Sequence, residues 1–226
     1  MESERIMAKE GRSGASSTTP KNIVFGAGTI HKGLKYTDGK WNFAESLIGA
    51  TSGGSKVSIT PEITKVEVDG VYVNTKGLDV KTGGKAAMDI NLIELTEDIL
   101  KAATLGTSAA ATTDTRFDLI EDKADIAAGD YWDNIAFVGK TMDGRNIIAI
   151  LDNALCTSGF ESDHKSKEGT VGTYTFECYA ELDSDGETLP WHIYYPNSTY
   201  TTQAQTEANA AVVTQMPEAK TAEATA

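Results

Sequence analysis

The stretch KNIVFGAGTIHKGL, Lys21 to Leu34, places an apolar run directly ahead of Gly26-Ala27-Gly28, the order found in loops that cradle a pyrophosphate. Such a loop works by aiming backbone N–H groups and a helix N-terminus at the phosphates, and it needs a third glycine at position 31. Position 31 is His31, and TIHKGLKYTDGKW follows with β-branched residues and an Asp38-Gly39 turn where the helix should be. No βαβ alternation lies downstream. The glycines are expected to kink a first strand rather than hold a dinucleotide.

Other groups of reactive residue types fail comparable tests. DLIEDKADIAAGDYWD carries Asp118, Glu121, Asp122, Asp125, Asp130 and Asp133, a run that reads as a solvated face before it reads as a cation site. ELDSDGETLPWH matches a calcium loop only at Asp183, Asp185 and Gly186; Glu181 stands where the first Asp belongs and His192 where the bidentate Glu belongs. His31, His164 and His192 are scattered without zinc spacing. TSGGSKV does not have the order of a nucleophile elbow. The expectation is a protein with no catalytic residues, no metal and no cofactor.

Composition narrows the partners. The chain has 226 residues, with 33 acidic and 20 basic side chains and a formal charge of −13. A nucleic-acid-binding surface needs the opposite sign, because its cations replace phosphate counterions. Two cysteines, Cys156 and Cys178, read as small buried thiols. The opening MESERIMAKEGR has no apolar segment of the secretory kind, and no apolar run approaches a membrane span. Synthesis in a host cytoplasm without membrane insertion is the expectation.

The elements that would position any site are mostly of period two. In TYTFECYAEL, Tyr174, Phe176, Cys178, Ala180 and Leu182 share a dry face. In AAMDINLIEL, Met88, Ile90 and Leu92 alternate with Asp89 and Asn91. KVSITPEITKVEVDG supplies Val57, Ile59, Ile63, Val66 and Val68, and NIAFVGKTMDGRNIIAILDNAL reads as a hairpin turning at Met142-Asp143-Gly144. One helix is clear: Thr96 caps it, Glu97 and Asp98 favour its first turn, Ile99, Leu100 and Ala103 give its apolar face, and Gly106 ends it. A shorter helical turn is expected around Phe43 to Leu47. Residues 1–20 read as a flexible N-terminal arm, residues 21–200 as one domain, and residues 201–226 as an Ala/Thr-rich tail. The class is mainly β, a twisted β-sandwich or barrel-like core with one flanking α-helix and flexible termini.

The order NIVFGAGTI, then LIGATSGGSKVSITPEITKVEVDG, then KGLDVKTGGKAAMDINLIELTEDILKAA resembles the major tail tube proteins of long-tailed bacteriophages. The matching stretches run from about Asn22 to Ala103; the remaining strands fit in pattern only. The resemblance implies a tail-tube fold whose copies form homohexameric rings, stacked into the hollow tube through which genomic DNA passes into the host. It further implies tape-measure, tail-tip and tail-terminator proteins as partners, only transient passage of DNA, and a place in the virion tail. Asp89, Asn91 and Glu94 are candidates for a face toward the lumen or a neighbouring subunit. Asp79 and Lys81 fall in the segment Gly70 to Lys85, the candidate ring-stacking loop. The alternatives are an inner tube subunit of a contractile tail or tail-like bacteriocin, and an immunoglobulin-like surface-binding module.

Overall fold

The computed structural model describes residues 14–200 apart from 17, 165, 168 and 198, so the tail 201–226 and most of the arm 1–20 lie outside the described residues. In chain order the elements are α1 (Thr19–Asn22), β1 (Val24–Lys32), β2 (Tyr36–Thr37), β3 (Lys40–Trp41), α2 (Phe43–Ser46), β4 (Thr51–Lys65) and β5 (Asp79–Leu92). There follow α3 (Glu97–Thr104), β6 (Thr107–Ala110), β7 (Asp118–Glu121), β8 (Trp132–Thr141), β9 (Asn146–Cys156), β10 (Gly172–Cys178) and β11 (Trp191–Tyr194). The protein is mainly β and antiparallel, sandwich-like, and not a closed barrel. Among the described residues no helix is long and apolar enough to cross a membrane.

Seven strands form the main sheet in the order β1-β8-β9-β10-β5-β4, with β11 pairing on β9 as a branch. The fork follows from pairing: β11 takes Ile148 to Leu151 of β9, and β10 takes Ala154 to Cys156. Between them Asn153 adopts a left-handed φ of 48°. That residue shifts the alternation, so Leu151 and Ala154 both reach the main core although three positions separate them.

The sheet rolls so that its two ends meet. His31 bridges Leu47, and the Ile48 N–H donates to the Ile30 carbonyl at 3.0 Å. Inside the roll Met88, Ile90 and Leu92 from β5 meet Tyr174 and Phe176 from β10, Ile135 from β8 and Leu151 from β9. Trp132 packs on Phe176 with ring centroids 4.5 Å apart. Helix α3 adds Ile99, Ala102 and Ala103 to the same core, which makes it the flanking helix. A second, smaller core lies on the other face of β8 and β9, where Ala136, Val138, Ile148 and Ile150 pack with Leu34, Trp41 and Phe43.

Local chemistry explains several boundaries. Thr96 accepts from the Ile99 N–H at 3.4 Å and starts α3. Its end differs from the expectation: Leu105, not Gly106, takes the left-handed position, at φ 52°. Gly106 donates its N–H to the Lys101 carbonyl, and its missing side chain lets the Glu121 carbonyl approach to 2.8 Å of where a Cβ would stand. The Asp143-Gly144 turn joins β8 and β9 as expected. The strand predicted through Leu182 stops at Cys178, and Leu182 is fully exposed, because β9 supplies partners only as far as Cys178. Cys156 and Cys178 are free and buried, and burial pushes the Cys178 thiol up to about 11.

The glycines of the opening stretch make a bulge. Between Phe25↔Lys140 and Thr29↔Val138 the register slips, with Gly26 and Gly28 at positive φ. A Cβ on Gly28 would lie 2.4 Å from the Phe137 ring and 2.8 Å from the Val138 carbonyl. Gly28→Ala is therefore expected to cost about 2–5 kcal/mol, summing left-handed strain and overpacking. Gly129→Ala, with open space around its Cβ, should stay within about 0.5 kcal/mol. Urea unfolding of both variants measures the difference.

Candidate assembly surfaces

Three surfaces stand out once the fold is in place: a polar ladder, a projecting hairpin and an aromatic groove. The ladder covers the outer face of β10, β5 and β4. Thr175 donates its hydroxyl to Asp89 at 2.7 Å, and Thr173 donates to the Asn91 side-chain oxygen at 2.7 Å. The Asn91 amide in turn donates to the Gly54 carbonyl at 3.0 Å. Glu177 receives Lys85 at 2.7 Å and the Thr157 hydroxyl at 3.1 Å. Lys56 stands in register opposite Asp89. The face is thus hydroxyl- and amide-rich, with Lys56 and Lys85 matched by Asp89 and Glu177. Of the candidate lumen or neighbour residues, Asp89 and Asn91 come together here. Glu94 lies past the end of β5, with its carboxylate over Gly49.

The hairpin β4–β5 outruns the core. From Ala86 to Leu92 alternate side chains of β5 are buried, whereas from Asp79 to Lys85 none is. The pairing nevertheless continues to Lys65↔Asp79, through Pro61, whose missing N–H is tolerated because β4 is the edge of the sheet. This corrects the loop assignment: Asp79 and Lys81 belong to β5, paired with Lys65 and Ile63, and the connecting segment is Val66 to Leu78. Ile63, Val66, Val68, Tyr72, Val73 and Val80 are all exposed along this projection. An apolar series of this kind marks a contact surface more often than a free one.

The groove, about 1120 Å³, opens where the ends of the rolled sheet meet. Trp41 is its centre, edge-on to Tyr36 at 5.2 Å and to Tyr194 at 5.1 Å and stacked with Phe43 at 6.3 Å. Tyr195 and Lys140 complete its walls. Beneath them His31 is buried. Its Nδ1 lies 2.9 Å from the Ser46 hydroxyl, which itself donates to the Asn42 carbonyl at 2.8 Å. With its own proton committed to Asn42, Ser46 accepts from Nδ1–H, and the Thr29 hydroxyl lies 2.8 Å from Nε2.

Several of the carboxylates in the two acidic runs, and the other two histidines, make ordinary local contacts. Asp130 pairs with Lys123, and Asp133 with Lys35 at 3.1 Å. Asp185 turns its carboxylate onto the Glu187 N–H at 3.0 Å. His192 pairs with Asp152 at 3.1 Å, while His164 touches Ser162 and Thr170 in a separate loop. Among the described residues no three His, Cys, Asp or Glu side chains converge as a metal site. Comparison with known proteins returns no matching family model and no matching curated protein. The surfaces are read from their geometry alone.

Burial lowers the His31 pKa below its ordinary value. The unfolded chain therefore binds this proton more readily than the folded one, and the stability His31 contributes is complete above about pH 6.5. It falls as pH drops through that value toward the depressed folded one. Thermal unfolding should show a decline over that window, and His31→Gln should flatten it relative to the parent protein.

Proposed function

We propose that the chain is a structural virion protein, the ring-forming subunit of a phage tail tube through which genomic DNA is ejected. The observation that carries this reading is the β4–β5 hairpin, which projects past the core with both faces wet and an apolar series along it. A two-stranded hairpin with no third layer is marginal in water. A neighbour that covers Ile63, Val66, Tyr72 and Val80 removes the difficulty, and repetition of that contact builds a filament.

Two further features support the reading. Strand β4, fifteen residues long, ends the sheet with no strand paired on its outer edge among the described residues, a length that soluble monomers usually blunt and that ring neighbours can cover. The polar ladder suits a bore. Its threonine hydroxyls, Asn91 and paired charges offer phosphate no excess of fixed cations, so DNA would slide without condensing onto the wall. Tape-measure, tail-tip and tail-terminator proteins would be its partners, as the resemblance implies. The geometry applies equally to an inner tube subunit of a contractile tail.

A second reading, an immunoglobulin-like surface-binding module, draws on the aromatic groove. It leaves the hairpin without a role and requires a monomer.

Negative-stain imaging of concentrated protein is expected to show rings or tubes with a central hole. Replacing Gly70–Thr75 by a two-residue turn should leave the protomer folded and abolish tubes. A protein that stays monomeric at every concentration overturns the proposal.

A further inference from the structure

The aromatic groove is bordered on one side by the chain's own exit from the fold. After β11, Pro196, Asn197, Thr199 and Tyr200 run along its wall. The Tyr200 hydroxyl accepts from the Asn146 N–H at 3.3 Å, and Tyr195 donates its hydroxyl to the Asn22 side-chain oxygen at 3.1 Å. Residues 201–226 therefore depart from the rim of the groove. The rings that line it are far from covered: Tyr36 is 61% exposed and Tyr195 59% exposed. An open aromatic concavity of this kind marks a binding surface.

The continuing chain carries one segment suited to that surface. Residues 208–217 hold no charged side chain, and within them Ala210, Ala211, Val212 and Val213 form an unbroken apolar run with Met216 close behind. Valine methyls and a thioether pack well on aromatic faces and edges. The groove asks for no countercharge, because Lys140 in its wall is exposed and keeps its ammonium in water. Residues 201–209 form the connection, and a chain covers up to about 3.3–3.6 Å per residue, so the segment reaches across a groove that Tyr200 already borders. The tether also decides whose groove is filled. A connection this short holds the segment at an effective concentration on the order of millimolar, well above that of a second copy at ordinary protein concentrations. We infer that residues 210–216 fold back into the groove of their own molecule, with Val212, Val213 and Met216 against Tyr36, Trp41 and Tyr194. The free chain thereby covers its own aromatic face. The inference concerns the single molecule and does not rest on the tube reading.

The test uses the full chain with a photo-crosslinking phenylalanine at position 213, mixed with isotopically labelled copies so that contacts within and between molecules are separated by mass. The expected crosslinks join position 213 to the peptide 36–44 of the same molecule. The same probe at position 206, nearer the groove along the chain, should crosslink that peptide less. In parallel, Val212→Asp with Val213→Asp in the full chain should raise the fluorescence of a hydrophobic dye by about threefold or more, as the rings become open to it. Circular dichroism verifies that each variant is folded. Crosslinks that join two molecules assign the groove to a second copy and overturn the inference. So do crosslinks elsewhere in the chain, equal yields from positions 206 and 213, or unchanged dye fluorescence. None of these results bears on whether rings or tubes form.

Discussion

Along β5 the environment changes at one point, between Lys85 and Ala86, and the remainder of the architecture follows from that crossing. On the inner side Ala86, Met88, Ile90 and Leu92 are enclosed by Tyr174, Phe176 and the facing strands. Full burial of side chains this size is worth about 1.5–3 kcal/mol apiece for the larger ones, so the register of the strand is strongly specified. A slip of one residue would turn all four outward and carry Asp89 and Asn91 into the core. The pairing continues into the exposed half, with one slip where Glu62 faces Gly83 and Ile63 faces Lys81, and Thr82 bulges between them. The projecting hairpin is in effect a cantilever anchored by its buried end.

The anchoring also decides what the outer face can carry. With one side of β5 committed to the core, Asp89 and Asn91 are fixed on the other, within reach of Thr175 and Thr173 from β10. Their acceptor groups are occupied by hydroxyls rather than left free. The chain's large negative charge is therefore not concentrated on this face: its carboxylates are spread over turns such as Asp183 to Glu187 and the segment after β7, where solvent screens them. A neutral, well-bonded sheet face and an acidic periphery are separate properties of one sequence, and net charge alone does not distinguish them.

Much of this was legible from the residues. The alternation at Met88 to Leu92 and at Tyr174 to Cys178 is visible because each strand has one dry and one wet face. Thr96, the Asp143-Gly144 turn and the glycine kink at Gly26 to Gly28 act locally and were readable locally. The exposed half of β5 was not. A strand wet on both sides has no period to detect, so Asp79 and Lys81 read as loop although they are paired. Leu182 fails in the opposite sense: its alternation continues in sequence after the pairing partner has run out, and pairing is tertiary information. The groove was hidden for the same reason, since Trp41 and Tyr194 are brought together only by rolling the sheet and adding β11 to β9.

Rolling without closure has a mechanical consequence. A closed barrel would join β1 to β4 along their full length and bury the β4 edge. Here, among the described residues, the ends meet over a short seam made by the His31–Leu47 bridge, the Ile48–Ile30 hydrogen bond and the His31–Ser46 contact, close to the base of β4. The groove forms at that seam, where the β2–β3 hairpin and the residues after β11 cover the second core. Past the seam β4 has a single partner and runs outward with it. One strand therefore carries the closure of the roll at its start and the projecting tip at its end. In the proposed tube the distance between successive layers would be set by a rigid, hydrogen-bonded ladder rather than by a flexible linker. A two-residue change in both strands would alter that spacing by about 7 Å while keeping every face, whereas a one-residue change would invert the faces of the arm. Matched changes of two residues therefore preserve the faces of the arm, and an unmatched single residue has to be taken up by a bulge, as Thr82 is in β5.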